Sequence, residues 1–179
     1  MNVKAIPFQG VRIEVNTRMA FDAVLKRLRE QMGSTDIPEV VRLAQEPISQ
    51  QEFVHRVNER FVGPSGFMLF AEIDHGGWLH KFGIQRRTVR WVLGNPLIAI
   101  TMIRHDITAG LFAPVDILIT EVESGRGATI AYVRPSSLMV VKDNPPLLDA
   151  AKVLDEKLDA LIATAISEED REAGGLRLR

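Results

Sequence analysis

Between Val11 and Asn16 the apolar residues Val11, Ile13 and Val15 alternate with Arg12, Glu14 and Asn16, the two-residue period of a half-buried strand. The period then changes. Phe21, Val24, Leu25, Leu28 and Met32 recur at steps of three and four, which gathers them on one helical face while Lys26, Arg27 and Arg29 turn to water. Thr17 is the expected cap of this helix and Gly33 its end. Two shorter helical stretches follow, divided by Pro47. The second opens on Ser49 with Glu52 three residues later, a capping box, and its buried stripe is Phe53, Val54, Val57 and Phe61.

Gly63-Pro64-Ser65-Gly66 breaks that helix, and residues 67–74, apolar at first and then alternating, predict a second strand. Residues 87–93 predict a third, with Val89, Trp91 and Leu93 on one face. Residues 114–122 and 128–133 flank a Ser-Gly-Arg-Gly turn and predict a hairpin of the fourth and fifth strands. Asn144, followed by Pro145 and Pro146, opens a long helix striped by Leu147, Ala151, Leu154, Leu158, Leu161 and Ile162. The order fits an α+β fold: an antiparallel sheet of about five strands with helices packed on one face. Residues 1–166 read as a single domain. Residues 167–179 carry charges, two glycines and little periodicity, and predict a mobile tail.

Gly94-Asn95-Pro96 is a turn that also starts a helix, since Asn95 is a good cap and Pro96 suits the first helical position. Leu97, Ile98, Ile100, Met102 and Ile103 then cover more of the helix circumference than one core-facing stripe needs. Burial within the domain, burial by a dimer partner and a bound apolar ligand are the three ways to cover them.

Composition narrows the function classes. A chain of 179 residues, 46% hydrophobic and 25% charged, has enough apolar content for one ordinary core. A net charge of -1 gives no footprint for nucleic acid or an anionic membrane surface, and no apolar run is long enough to span a bilayer. The chain has no cysteine, which excludes disulfides, thiolate nucleophiles and thiolate metal sites. A cytoplasmic protein is the plain expectation. No phosphate loop, nucleophile elbow or dinucleotide fingerprint stands in the sequence, so no cofactor is expected.

What remains is histidine and carboxylate chemistry. Residues 72–80 place Glu72, Asp74, His75 and His80 near a strand end, beside Gly76, Gly77 and Trp78. An imidazole beside a carboxylate can relay protons or bind metal, with His75 as general base and His75 and His80 as candidate metal ligands. The spacing differs from the one-turn separation of helical metal motifs, and the two glycines argue against a helical clasp. Structural roles for these residues are the commoner outcome. Trp91 and Tyr132, with Phe70, are expected on the helix-facing side of the sheet, where they would shape an apolar pocket with Gly94 and Asn95 and with His75 at its mouth. The leading expectation is a homodimeric domain holding an apolar or amphipathic small molecule between sheet and helix. A His/carboxylate enzyme and a purely structural dimerising protein are the alternatives.

Glu72-Ile73-Asp74-His75, Gly94-Asn95-Pro96 and Ala113-Pro114-Val115, taken with Gly110-Leu111 and Arg134-Pro135, resemble in order and spacing the domain-of-unknown-function 302 family. The resemblance spans most of the chain and is sharpest from Phe67 to Val140. It implies a TATA-binding-protein-like β-α-β4-α fold, commonly a homodimer, and no established reaction. Gly94 and Val115 stand where one branch of the family has cysteines, and Phe112 stands where another has an aspartate. Thiol chemistry and a complete polar site are therefore not implied for this chain.

Overall fold

A computed structural model describes residues 1–35, 37–123 and 125–167. Its elements are β1 (Arg12–Thr17), α1 (Phe21–Gln31), β2 (Gly33–Ser34), α2 (Ile37–Gln45), α3 (Gln50–Phe61), β3 (Met68–Asp74), α4 (Gly76–Leu79), β4 (Thr88–Gly94), α5 (Pro96–Ile103), β5 (Val115–Glu121), β6 (Ala128–Val133), α6 (Pro135–Met139) and α7 (Pro145–Ile166). Short 3-10 turns lie at His80–Phe82 and Ile107–Phe112. Of the mobile tail expected over residues 167–179, all but Ser167 lies outside the described residues.

The strands form one sheet in the order β1-β6-β5-β4-β3-β2, antiparallel throughout except for the β2–β3 pair. Alternation works as the sequence predicts. Trp91 pairs with Ile117, Ile117 with Tyr132 and Tyr132 with Ile13, which aligns these side chains on one face across four strands. That face is covered by α1, through Phe21, Val24, Leu25 and Leu28, and by α7, through the whole stripe from Leu147 to Ile162. Burial of each such side chain contributes about 1.5–3 kcal/mol, which holds the helices to the sheet.

Six strands stand where about five were expected. The sixth, β2, is two residues long, too short for any hydrophobic period to announce it. Gly33 N–H donates to the Phe67 carbonyl at 3.0 Å and Thr35 N–H to that of Leu69 at 3.4 Å. The chain crosses the end of α3 so closely here that a Cβ on Gly33 would lie 1.7 Å from the Phe61 carbonyl oxygen. Gly33 thus serves a backbone crossing as well as following the end of α1.

Thr17 does not cap α1. It ends β1, paired with Ala128, and its hydroxyl accepts from Met19 N–H at 3.1 Å, a local bond that competes with capping. The cap position falls to Ala20, without a side-chain bond. Ser49, Asn95 and Asn144 do cap their helices, accepting from Glu52, Leu97 and Leu147 N–H respectively.

A second, smaller apolar cluster joins α2 and α3 to the start of β3 through Leu43, Val57, Phe61 and Met68. Phe70 belongs with it. The β3–β4 register shifts between Leu69 and Ala71, so Phe70 sits in a bulge, drops out of the strand pairing and packs on the second cluster instead of lying with Trp91 and Tyr132.

A candidate ligand cavity at the end of β4

The apolar helix α5 is covered in part by its own chain, with Met102 alone of its residues fully buried. Leu97 packs on the second cluster, Met102 and Ile98 on the main one, and Ile103 lies against Gly110, while Ile100 stays 45% exposed. At its start the turn is tightly built. Asn95 Oδ1 accepts from Leu97 N–H at 2.8 Å, and Asn95 Nδ2 donates to the Gly66 carbonyl at 2.9 Å. Gly94 is a tight fit: a Cβ would lie 3.2 Å from both Phe70 Cε2 and Pro114 Cβ, so these side chains would have to give by a few tenths of an ångström.

Between these parts lies a cavity of about 210 Å³. Ile98, Ala99 and Met102 of α5 form one wall, and Ala113, Pro114 and Val115, joined by a cis Ala113–Pro114 peptide, form another. Phe67 and Leu154 come from the main core, and Phe70 from the second cluster. Ile37, Val40 and Val41 of α2 form its outer rim. Among the described lining residues Asn95 is the one polar side chain, and both ends of its amide are already bonded within the protein. The cavity therefore offers shape and apolar contact, with no described charge and with its one amide engaged on both its oxygen and its nitrogen.

Five residues were singled out for a ligand. Gly94 and Asn95 line this cavity, while Trp91, Tyr132 and His75 lie elsewhere. Trp91 is fully buried in the main core with the Arg29 guanidinium 5.0 Å from its ring centre, and its indole N–H has no partner. Tyr132 is buried too, and its hydroxyl donates to Asp159 of α7. Burial, and then the Asp159 carboxylate, push the phenol well above the ordinary tyrosine range, so it remains a protonated donor. What sequence reasoning missed is α2. Its periodicity marked a helix, but nothing local told which surface that helix would face.

The His/carboxylate residues make a different site. Glu72, Asp74 and His80 line a polar groove of about 510 Å³ with Arg86 and Arg87, and His75 is not part of it. Most of its charges are already bonded. Glu72 pairs with Arg29, Arg87 with Asp22, and Arg86 Nε donates to the Glu121 carbonyl at 2.8 Å. Asp74 Oδ1 accepts from Gly77 N–H at 2.9 Å, which draws Gly76 and Gly77 into the helical turn α4. His75 stacks edge-on against Trp78, and its Nδ1 is buried with no bonded carboxylate. Among the described residues no group of three His, Asp or Glu side chains is placed to hold a metal ion, and no helix is long and apolar enough to cross a membrane.

Comparison with known proteins adds the family. The sequence profile described as Domain of unknown function DUF302 matches residues 42–165, well over half of the chain. The chain belongs to the DUF302 family. The crystal structure of an uncharacterized conserved DUF302 protein from Bacillus stearothermophilus is similar in fold, with a TM-score of 0.59 at 17% identity, over 86% of this chain and 97% of that one. No curated protein matches the sequence. The DUF302 match takes in the cavity walls from β3, β4, α5, β5 and α7, whereas Ile37, Val40 and Val41 of α2 precede it.

Proposed function

We propose that this DUF302 chain is a small-molecule-binding protein whose ligand occupies the cavity at the end of β4. One observation carries the reading: a pocket of about 210 Å³, apolar on all described sides but for Asn95, opens at the seam of two packed clusters. Its walls are apolar side chains that an apolar ligand would shield from water, at about 25 cal/mol per Å² of surface covered. The homodimer expected from the sequence is proposed with it, as the state in which the ligand is carried.

Native mass spectrometry of untagged protein, followed by denaturing extraction, tests both parts. An organic adduct released on unfolding supports the binding reading, and Ala99→Leu, which fills the cavity from α5, removes it. An adduct retained at equal occupancy in Ala99→Leu would place the ligand elsewhere. A mass of one 20.0 kDa chain at micromolar concentration would sink the homodimer.

A further inference from the structure

We infer that the buried part of the ligand is an uncharged hydrocarbon, and that α2 is the element that closes on it. The inference rests on the binding reading above and adds the ligand's chemical class and the part of the protein that responds to it.

The class follows from what the walls lack. No described lining residue carries a charge, and the Asn95 amide already has Leu97 N–H at its oxygen and the Gly66 carbonyl at its nitrogen. A carboxylate or ammonium drawn inside would lose its water and meet no opposite charge. Size limits the class further: an engineered apolar cavity of about 150 Å³ stays dry and takes benzene, so this somewhat larger one suits a substituted ring or a chain of roughly six to eight carbons. At the mouth, beside Ile37 and Val41, a charged head would still give up part of its water against apolar side chains, which favours a neutral head there too.

The part played by α2 follows from its uneven anchoring. Ile37, Val40 and Val41 lie at steps of three and four and turn one stripe toward the cavity, yet Ile37 remains 47% exposed and Val41 45%. Of the nine residues in α2, Leu43 alone is buried. Its first turn is tied to α3 by Glu39, which accepts from Arg60 at 3.1 Å. The helix is therefore held to α3 at its side and by Val40 on the second cluster, while Ile37 and Val41 stay nearly half exposed at the cavity, where an occupant supplies the contacts they lack.

Calorimetric titration of the full chain with 1-octanol, octanoate and octylamine at neutral pH tests the class. Octanol is expected to bind at least about tenfold more tightly than either charged analogue, because only its chain need be desolvated. Val41→Asp should weaken octanol by about tenfold or more through a charge at the wall. Ala99→Leu is the second variant, blocking the cavity by volume without adding charge. Octanoate or octylamine binding as tightly as octanol would overturn the class and leave the binding reading standing, whereas no binding by any of the three would remove both. Amide exchange over Ile37–Gln45 should slow with octanol bound, and unchanged exchange at saturation would overturn closure by α2.

Discussion

Asn95 holds two pieces of chain together with one side chain. Its oxygen takes the first free N–H of α5 and its nitrogen takes the carbonyl of Gly66, in the loop before β3. Asn95→Ala removes a cap, a loss of about 1 kcal/mol, and leaves the Gly66 carbonyl unpaired, about 1–3 kcal/mol more. Asn95→Asp keeps the cap acceptor but sets a carboxylate against that carbonyl. In urea unfolding both variants should lose stability, and a wild-type midpoint for Asn95→Ala would show the amide to be dispensable. Tyr132 makes a pH-dependent contribution. Its folded pKa is raised, chiefly by burial and then by Asp159, so the folded state holds a proton that the unfolded state releases near the ordinary tyrosine value of about 10. This contribution is complete below that value, declines once pH exceeds it, and is lost as pH rises on through the raised folded value. Tyr132→Phe should be less stable than wild type at neutral pH by about 1 kcal/mol, with a shallower decline between pH 9 and 11. Parallel slopes in that range would show that Tyr132 is not the group responsible.

Among the elements, β4 and α7 were legible because each shows its period over enough residues: Val89, Trp91 and Leu93 are buried, as is the α7 stripe from Leu147 to Ile162. The caps at Ser49, Asn95 and Asn144 were legible for the same local reason, since a side chain and the N–H it accepts from lie two or three residues apart. Features made by distant segments were not. β2 exists through bonds to β3 and the crossing of α3, and the Phe70 bulge depends on pairing with β4. The candidate site divides along the same line. Gly94 and Asn95 were found from a local turn, while the residues of α2 come to the cavity by tertiary packing. Gly33→Ala tests the least legible element. Its new Cβ would meet the Phe61 carbonyl oxygen at 1.7 Å, backbone against backbone, with no flexible side chain to give way. The expected cost is about 1–3 kcal/mol or more in urea unfolding, with faster amide exchange at Thr35. An unchanged midpoint would mean that the crossing relaxes freely.

Across the whole molecule, two apolar clusters meet at one cavity: Phe67, Met102, Val115 and Leu154 belong to the main cluster, whereas Val40 and Phe70 pack on the smaller one beneath α2 and α3. Where packing is continuous, clusters unfold together; where a void separates them, the smaller can open first. The empty protein should therefore show faster amide exchange in α2 and α3 than in α1 and α7. A ligand in the seam touches both clusters and couples their opening, and it stabilises only the state in which the seam is closed. At a concentration 100 times its dissociation constant this linkage is worth about 2.7 kcal/mol. For a chain of 179 residues that corresponds to a rise in Tm of roughly 5–10 °C, and the exchange of α2 and α3 should approach that of the main core. Thermal melts with saturating 1-octanol, read beside exchange in each helix, distinguish the cases. A higher Tm with α2 and α3 still opening early would mean a ligand held by the main cluster alone. A joint rise would make the cavity the joint between the two halves of the core.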